Sequence, residues 1–83
     1  MDTVSIRIKY FGAFRKFGSD IMLEMPVGAS IAQIKTALSK NMKGRESLLV
    51  FDSVLGNDDM ILSDSYQCNT NCELAILPPV CGG

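Results

Sequence analysis

The stretch richest in chemistry is Leu77-Pro78-Pro79-Val80-Cys81-Gly82-Gly83. Pro78 and Pro79 hold φ near the extended value and lack a backbone donor, so they end any strand that runs into them. They favour a stiff polyproline-like run of about 3 Å per residue. Gly82 and Gly83 carry no Cβ and can enter a slot too narrow for any side chain. With its α-carboxylate on Gly83, the stretch reads as a stiff stem, a slender neck and an acyl group that another protein's active site could receive. A frayed, glycine-rich terminus is the plain alternative. The rigid Pro-Pro directly behind an apolar strand argues for the stem.

Other candidates are weaker. Cys68 and Cys72 bracket a polar stretch, Cys-Asn-Thr-Asn-Cys, and Cys81 lies beyond the final strand. Histidine is absent from the chain, and three thiolates at this spacing make a poor metal site, so free thiols are expected and no metal. Asp58 and Asp59 could form a carboxylate pair, but they fall in a cluster of turn-forming residues rather than in an apolar setting that would shift a pKa. Turn chemistry in Gly56-Asn57-Asp58-Asp59 explains them better.

The totals exclude several function classes. Eighty-three residues, 47% of them hydrophobic, suffice for one domain with one core. Eight basic against nine acidic residues leave a net charge of −1, with no basic cluster to follow a nucleic-acid backbone. The apolar runs fall far short of the ~20 residues that a membrane span needs. No charged segment followed by an apolar one marks a signal peptide. Together with an odd cysteine count this leads to the expectation of a reducing, cytoplasmic location.

The elements that must hold the stem follow from hydrophobic period. Val4, Ile6, Ile8 and Tyr10 alternate with Ser5, Arg7 and Lys9, which predicts a half-buried strand over 3–11. Gly12 to Gly18 breaks the alternation and reads as a connecting turn. Ile21, Leu23 and Met25 predict a second strand, closed by Pro26 and paired antiparallel with the first. Ser30 and Gln33 form a capping box ahead of Ile31, Ile34, Ala37 and Leu38, so the one long helix is expected to start at Ile31. Asn41 to Gly44 should end it. Leu48 to Val54 reads as a third strand, Met60 to Leu62 as a short edge segment, and Ser63 to Asn71 as irregular. Cys72 to Leu77 predicts a final strand, central in the sheet and covered on both faces. The economical solution is an α+β fold of the β-grasp kind. It would have a mixed sheet of four or five strands on one main helix, with the first and last strands side by side and parallel. Residues 1–77 would form that domain and 78–83 its extended tail.

That element order, the strand Glu73-Leu74-Ala75-Ile76-Leu77 and the terminal Pro-Pro-Val-x-Gly-Gly resemble the ubiquitin-like sulfur carriers of the ThiS/MoaD type. Tyr10-Phe11-Gly12-Ala13-Phe14-Arg15 is a second, weaker match. The Pro-Pro stem favours the branch containing the small subunit of molybdopterin synthase. The resemblance implies a carrier that other proteins reload. A ubiquitin-activating-type adenylating enzyme would use ATP to activate Gly83, and a persulfide sulfur donor would convert it to a thiocarboxylate. The large, MoaE-like subunit of molybdopterin synthase would then thread the tail and build the dithiolene of molybdopterin from a cyclic pyranopterin precursor. No cofactor would be bound by the carrier itself, and two small and two large subunits would assemble. By the same resemblance Gly83 bears the sulfur, and Gly82, Cys81, Val80, Pro79 and Pro78 thread the partner. Phe11, Arg15 and Leu77 face the large subunit, although ordinary core packing would equally account for Phe11 and Leu77. The Cys81 thiol could attack an adenylate on Gly83, but a small side chain that fits is the simpler reading. The alternatives are a carrier for thiamine synthesis or transfer-RNA thiolation, or a ubiquitin-like protein modifier.

Overall fold

The computed structural model describes residues 2–79. Strand β1 (Thr3–Tyr10) buries Val4, Ile6, Ile8 and Tyr10 and exposes Thr3, Arg7 and Lys9, as its alternation requires. It pairs antiparallel with β2 (Asp20–Pro26), from Thr3 opposite Pro26 to Lys9 opposite Asp20. The connection is a turn of 3₁₀-helix, Gly12–Phe17, which drops Phe14 fully into the core.

After β2 come a two-residue strand β3 (Ala29–Ser30) and helix α1 (Ile31–Lys40). The capping box is present. Ser30 Oγ accepts from the Gln33 backbone N–H at 3.2 Å, and Gln33 Oε1 accepts from the Ser30 N–H at 2.9 Å. Two otherwise unpaired donors are thereby satisfied, which fixes where the helix begins. Ile31, Ile34 and Leu38 are fully buried against the inner face of the sheet.

The expected strand over 48–54 is not there. Arg45–Asp52 is a second helix, α2, and the strand that follows, β4, covers only Val54–Gly56. Four consecutive apolar residues, Leu48 to Phe51, satisfy a strand or a helix equally, so period cannot decide. Tertiary packing decides instead: Val50 is fully buried, and α2 lies against α1. Gly44, at φ +73°, turns the chain into α2, and Ser53 Oγ returns to the Leu49 carbonyl at 2.8 Å as it ends.

Strand β5 (Ile61–Leu62) pairs antiparallel with β4 across the Gly56–Asp59 turn. There Asn57 Oδ1 accepts from the backbone N–H groups of Asp59 and Met60, each at 2.8 Å. The segment expected to be irregular contains β6 (Gln67–Cys68), which pairs with β3 in a separate two-stranded sheet. Finally β7 (Cys72–Leu77) inserts between β1, to which it is parallel, and β4, to which it is antiparallel. The main sheet is thus a five-stranded mixed sheet in the order β2-β1-β7-β4-β5. This is the α+β β-grasp arrangement, with β7 at its centre. The strand is covered on one face rather than two: Leu74 and Ile76 are buried, whereas Glu73 and Leu77 look outward.

Candidate functional site

The centre of the sheet's outer face, where β7 gives way to Pro78, gathers apolar side chains that no other described residue covers. Tyr10 is in register with Ile76, which brings Phe11 alongside Leu77, and Leu77 is paired with Val54. Phe11, Leu77 and Val54 are 40%, 37% and 37% exposed, well above the core level, so core packing is not their role. The next row toward the edge is Ala75, Gly56 and the exposed Ile61. A small groove of about 120 Å³ opens beside them, lined by Lys9, Phe11, Asn57, Asp58, Glu73, Leu74 and Ala75. Toward the other end the face becomes charged. Glu73 lies 3.4 Å from Lys9 and 4.0 Å from Arg7, and Arg7 lies 3.6 Å from Asp20. These exposed pairs add little stability; they mark where the apolar surface stops.

Gly12 seats the root of the stem. Its φ is +58°, and a Cβ built there would stand 2.7 Å from Cγ and 3.3 Å from Cδ of Pro78. The backbone at Gly12 therefore touches the proline ring, and only glycine allows that approach. Pro78 and Pro79 are half-buried. The stem leaves the body against the 3₁₀ turn, directly beside Phe11.

Of the residues singled out from sequence, the structure brings Phe11, Leu77 and Pro78 together. Arg15 is exposed on the 3₁₀ turn that begins after Phe11, and it enters no ion pair among the described residues. Val80, Cys81, Gly82 and Gly83 lie outside the described residues. Val54 was missed: it sat inside an apolar run read as one strand, and only the β4–β7 register shows that it flanks Leu77.

The remaining candidates separate clearly. Asp58 and Asp59 sit in the Asn57-ordered turn, as turn residues. Cys68 is buried and Cys72 half-buried, both as free thiols. Burial, and then the neighbouring Cys72 thiol, push the Cys68 pKa up to about 11, so Cys68 is a poor nucleophile at neutral pH. No helix among the described residues is long and apolar enough to cross a membrane.

Comparison with known proteins decides the family. The ThiS family model matches residues 8–83, nearly the whole chain and the tail included. The chain belongs to the ThiS family. Among curated proteins none matches it. Solved structures similar to this ThiS-family chain include a ubiquitin of Caldiarchaeum subterraneum, at 16% identity and TM-score 0.65 over 99% of this chain and 100% of that one. SAMP1 from Haloferax volcanii superposes with TM-score 0.69 at 18% identity, over 95% of this chain and 99% of that one. A ubiquitin-like domain of Arabidopsis thaliana gives TM-score 0.68 at 11% identity, over 94% and 79%. At such identities these likenesses establish the ubiquitin-like β-grasp fold. The family match makes the chain a ubiquitin-like sulfur carrier.

Proposed function

We propose that this carrier is the small subunit of a molybdopterin synthase. The supporting observation is the stem: Pro78 packs on Gly12 beside the uncovered row Phe11–Leu77–Val54, next to a sequence that ends Val80-Cys81-Gly82-Gly83. An apolar docking face beside the root of a stiff stem lets a partner grip the body while the glycine neck reaches its active site.

The chemistry belongs to the Gly83 carboxylate. Its charge and resonance resist nucleophilic attack, so an adenylating enzyme first joins it to AMP, releasing pyrophosphate from ATP. A persulfide then attacks the acyl carbon and expels AMP, leaving an acyl disulfide. A second thiol reduces that disulfide and frees the thiocarboxylate. The thiocarboxylate sulfur is the nucleophile delivered to the cyclic pyranopterin precursor. With no histidine in the chain, proton transfers in that last step fall to the large subunit.

The test is intact mass after incubation with an activating enzyme, ATP and a persulfide donor, followed by the large subunit and the precursor. Replacement of one oxygen by sulfur at Gly83 that requires ATP, and loss of that sulfur with formation of dithiolene, is the expected result. Leu77→Glu is expected to weaken the large-subunit complex at least tenfold, as loss of a central apolar contact does, while the melting temperature stays unchanged. Sulfur loading without delivery to the precursor would reassign the carrier to thiamine or transfer-RNA thiolation. Isopeptide adducts on lysines would make it a modifier, and sulfur found on cysteines alone would overturn the carrier reading.

A further inference from the structure

The outward face of α2 carries a second uncovered surface, in the helical layer and separate from the outer face of the sheet. Leu48 is 72% exposed and Phe51 50% exposed, values that a helix packed on a core reserves for polar residues. A shallow groove of about 460 Å³ beside them is lined by Arg45, Glu46, Leu48, Leu49 and Asp52. Arg45, Leu48 and Asp52 are spaced three and four residues apart and so share one face. Arg45 and Asp52 enter no ion pair among the described residues, whereas the neighbouring Glu46 is held by Lys16 at 3.0 Å.

The arrangement of charge identifies the occupant. The face has a cation at one end, an anion at the other and leucines between them. Such a pattern complements itself when the helix is reversed. An axis midway between Leu48 and Leu49 sets residue 45 opposite residue 52 and residue 48 opposite residue 49. We propose that two copies of this chain associate through antiparallel α2 helices about a two-fold axis, with Arg45 of each facing Asp52 of the other and Leu48 of each entering the other's groove. A contact of this kind is isologous, so each favourable pair occurs twice.

The helix limits how strong the contact is. Eight residues span about 12 Å, so the contact is far smaller than the ~800 Å² per partner of a stable dimer. The association is therefore weak and reversible and shows only at high protein concentration. It leaves Phe11, Leu77 and the stem uncovered, and it holds whether or not the molybdopterin reading does.

Sedimentation equilibrium of the full chain, from micromolar to millimolar concentration at low salt, is the direct test. The weight-average mass is expected to rise from 9.0 kDa toward twice that value. Arg45→Asp and Asp52→Arg are each expected to weaken association about tenfold, because each places like charges face to face twice per dimer. The double variant Arg45→Asp/Asp52→Arg restores the opposition and is expected to return association to near the original strength. Both positions of the cycle are on the surface, and thermal melts confirm that the three variants are folded. A mass fixed at 9.0 kDa into the millimolar range overturns the proposal. So does association that the single reversals leave untouched, or that the double reversal fails to restore. Reversals that impair binding of an activating enzyme to a chain that stays monomeric would assign the face to that enzyme instead, and the proposal would fall.

Discussion

Replacing Gly12 with alanine tests whether the body really clamps the stem. Two penalties are separable in the structure. At φ +58° an L-residue with a Cβ is strained by about 1–2 kcal/mol. The new Cβ also meets the Pro78 ring at 2.7 Å, and a proline ring cannot swing away as a flexible side chain does. Overpacking of this kind costs about 1–3 kcal/mol. Gly12→Ala is therefore expected to destabilise the domain by roughly 2–5 kcal/mol, which in a domain of this size lowers the melting temperature by roughly 8–40 °C. Pro78→Ala removes Cγ and Cδ, the two nearest ring atoms, while keeping Cβ, which stands 4.0 Å away. In a double-mutant cycle followed by circular dichroism melts, Pro78→Ala should relieve the overlap but not the dihedral strain. The expected coupling is about 1–3 kcal/mol in the favourable direction. A coupling near zero would refute the clamp, for it would mean that the ring simply moves aside and only the strain at residue 12 is felt.

Three further outcomes follow from the capping box and the two cysteines. Ser30→Ala removes the acceptor for the Gln33 N–H and should cost about 1 kcal/mol; a thermal melt indistinguishable from the parent would show that the capping box is idle. Cys68 gives a pH dependence whose sign is fixed. Its folded pKa of about 11 lies above the ~8.5 of an unfolded thiol. The folded state thus holds its proton more tightly, a contribution fully present below pH ~8.5 and lost as pH rises toward 11. Stability should fall along that alkaline limb, and Cys68→Ala should flatten it; an unchanged limb in the variant would contradict the burial argument. At neutral pH an alkylating reagent should label Cys72 ahead of Cys68.

The sequence made some elements visible because their period is unambiguous. In β1 the apolar residues alternate over all eight positions, and α1 announces itself with a capping box. Leu77 alternates out of phase with Leu74 and Ile76, so the face it occupies was legible, but not that this face is uncovered, because a strand apolar on both sides predicts cover on both. The helix α2 was hidden because Leu48 to Phe51 is apolar at every position and fits any period. Strands β3 and β6, at two residues each, have no period at all and exist only because the fold brings them together. For the same reason Val54 beside Leu77, and Pro78 against Gly12, could not be read in advance. Both are contacts between segments whose separation in sequence carries no local signal.

The parallel pairing of β1 with β7 has a consequence for the life of the chain before it meets any partner. A register joining Ile6 to Cys72 and Tyr10 to Ile76 closes the longest loop the domain contains. Contacts of such long range form slowly, since the intervening chain must be ordered before they yield anything. During synthesis Phe11 emerges early but has no Leu77 or Val54 beside it until β4 and β7 have followed and paired. The row Phe11–Leu77–Val54 is thus complete only once β4 and β7 have paired, and it is not inherited from the first strand. A nascent, truncated or misregistered chain does not display it, so an enzyme that must grip this face before spending ATP on the terminus would pass over unfinished carriers without any separate proofreading device.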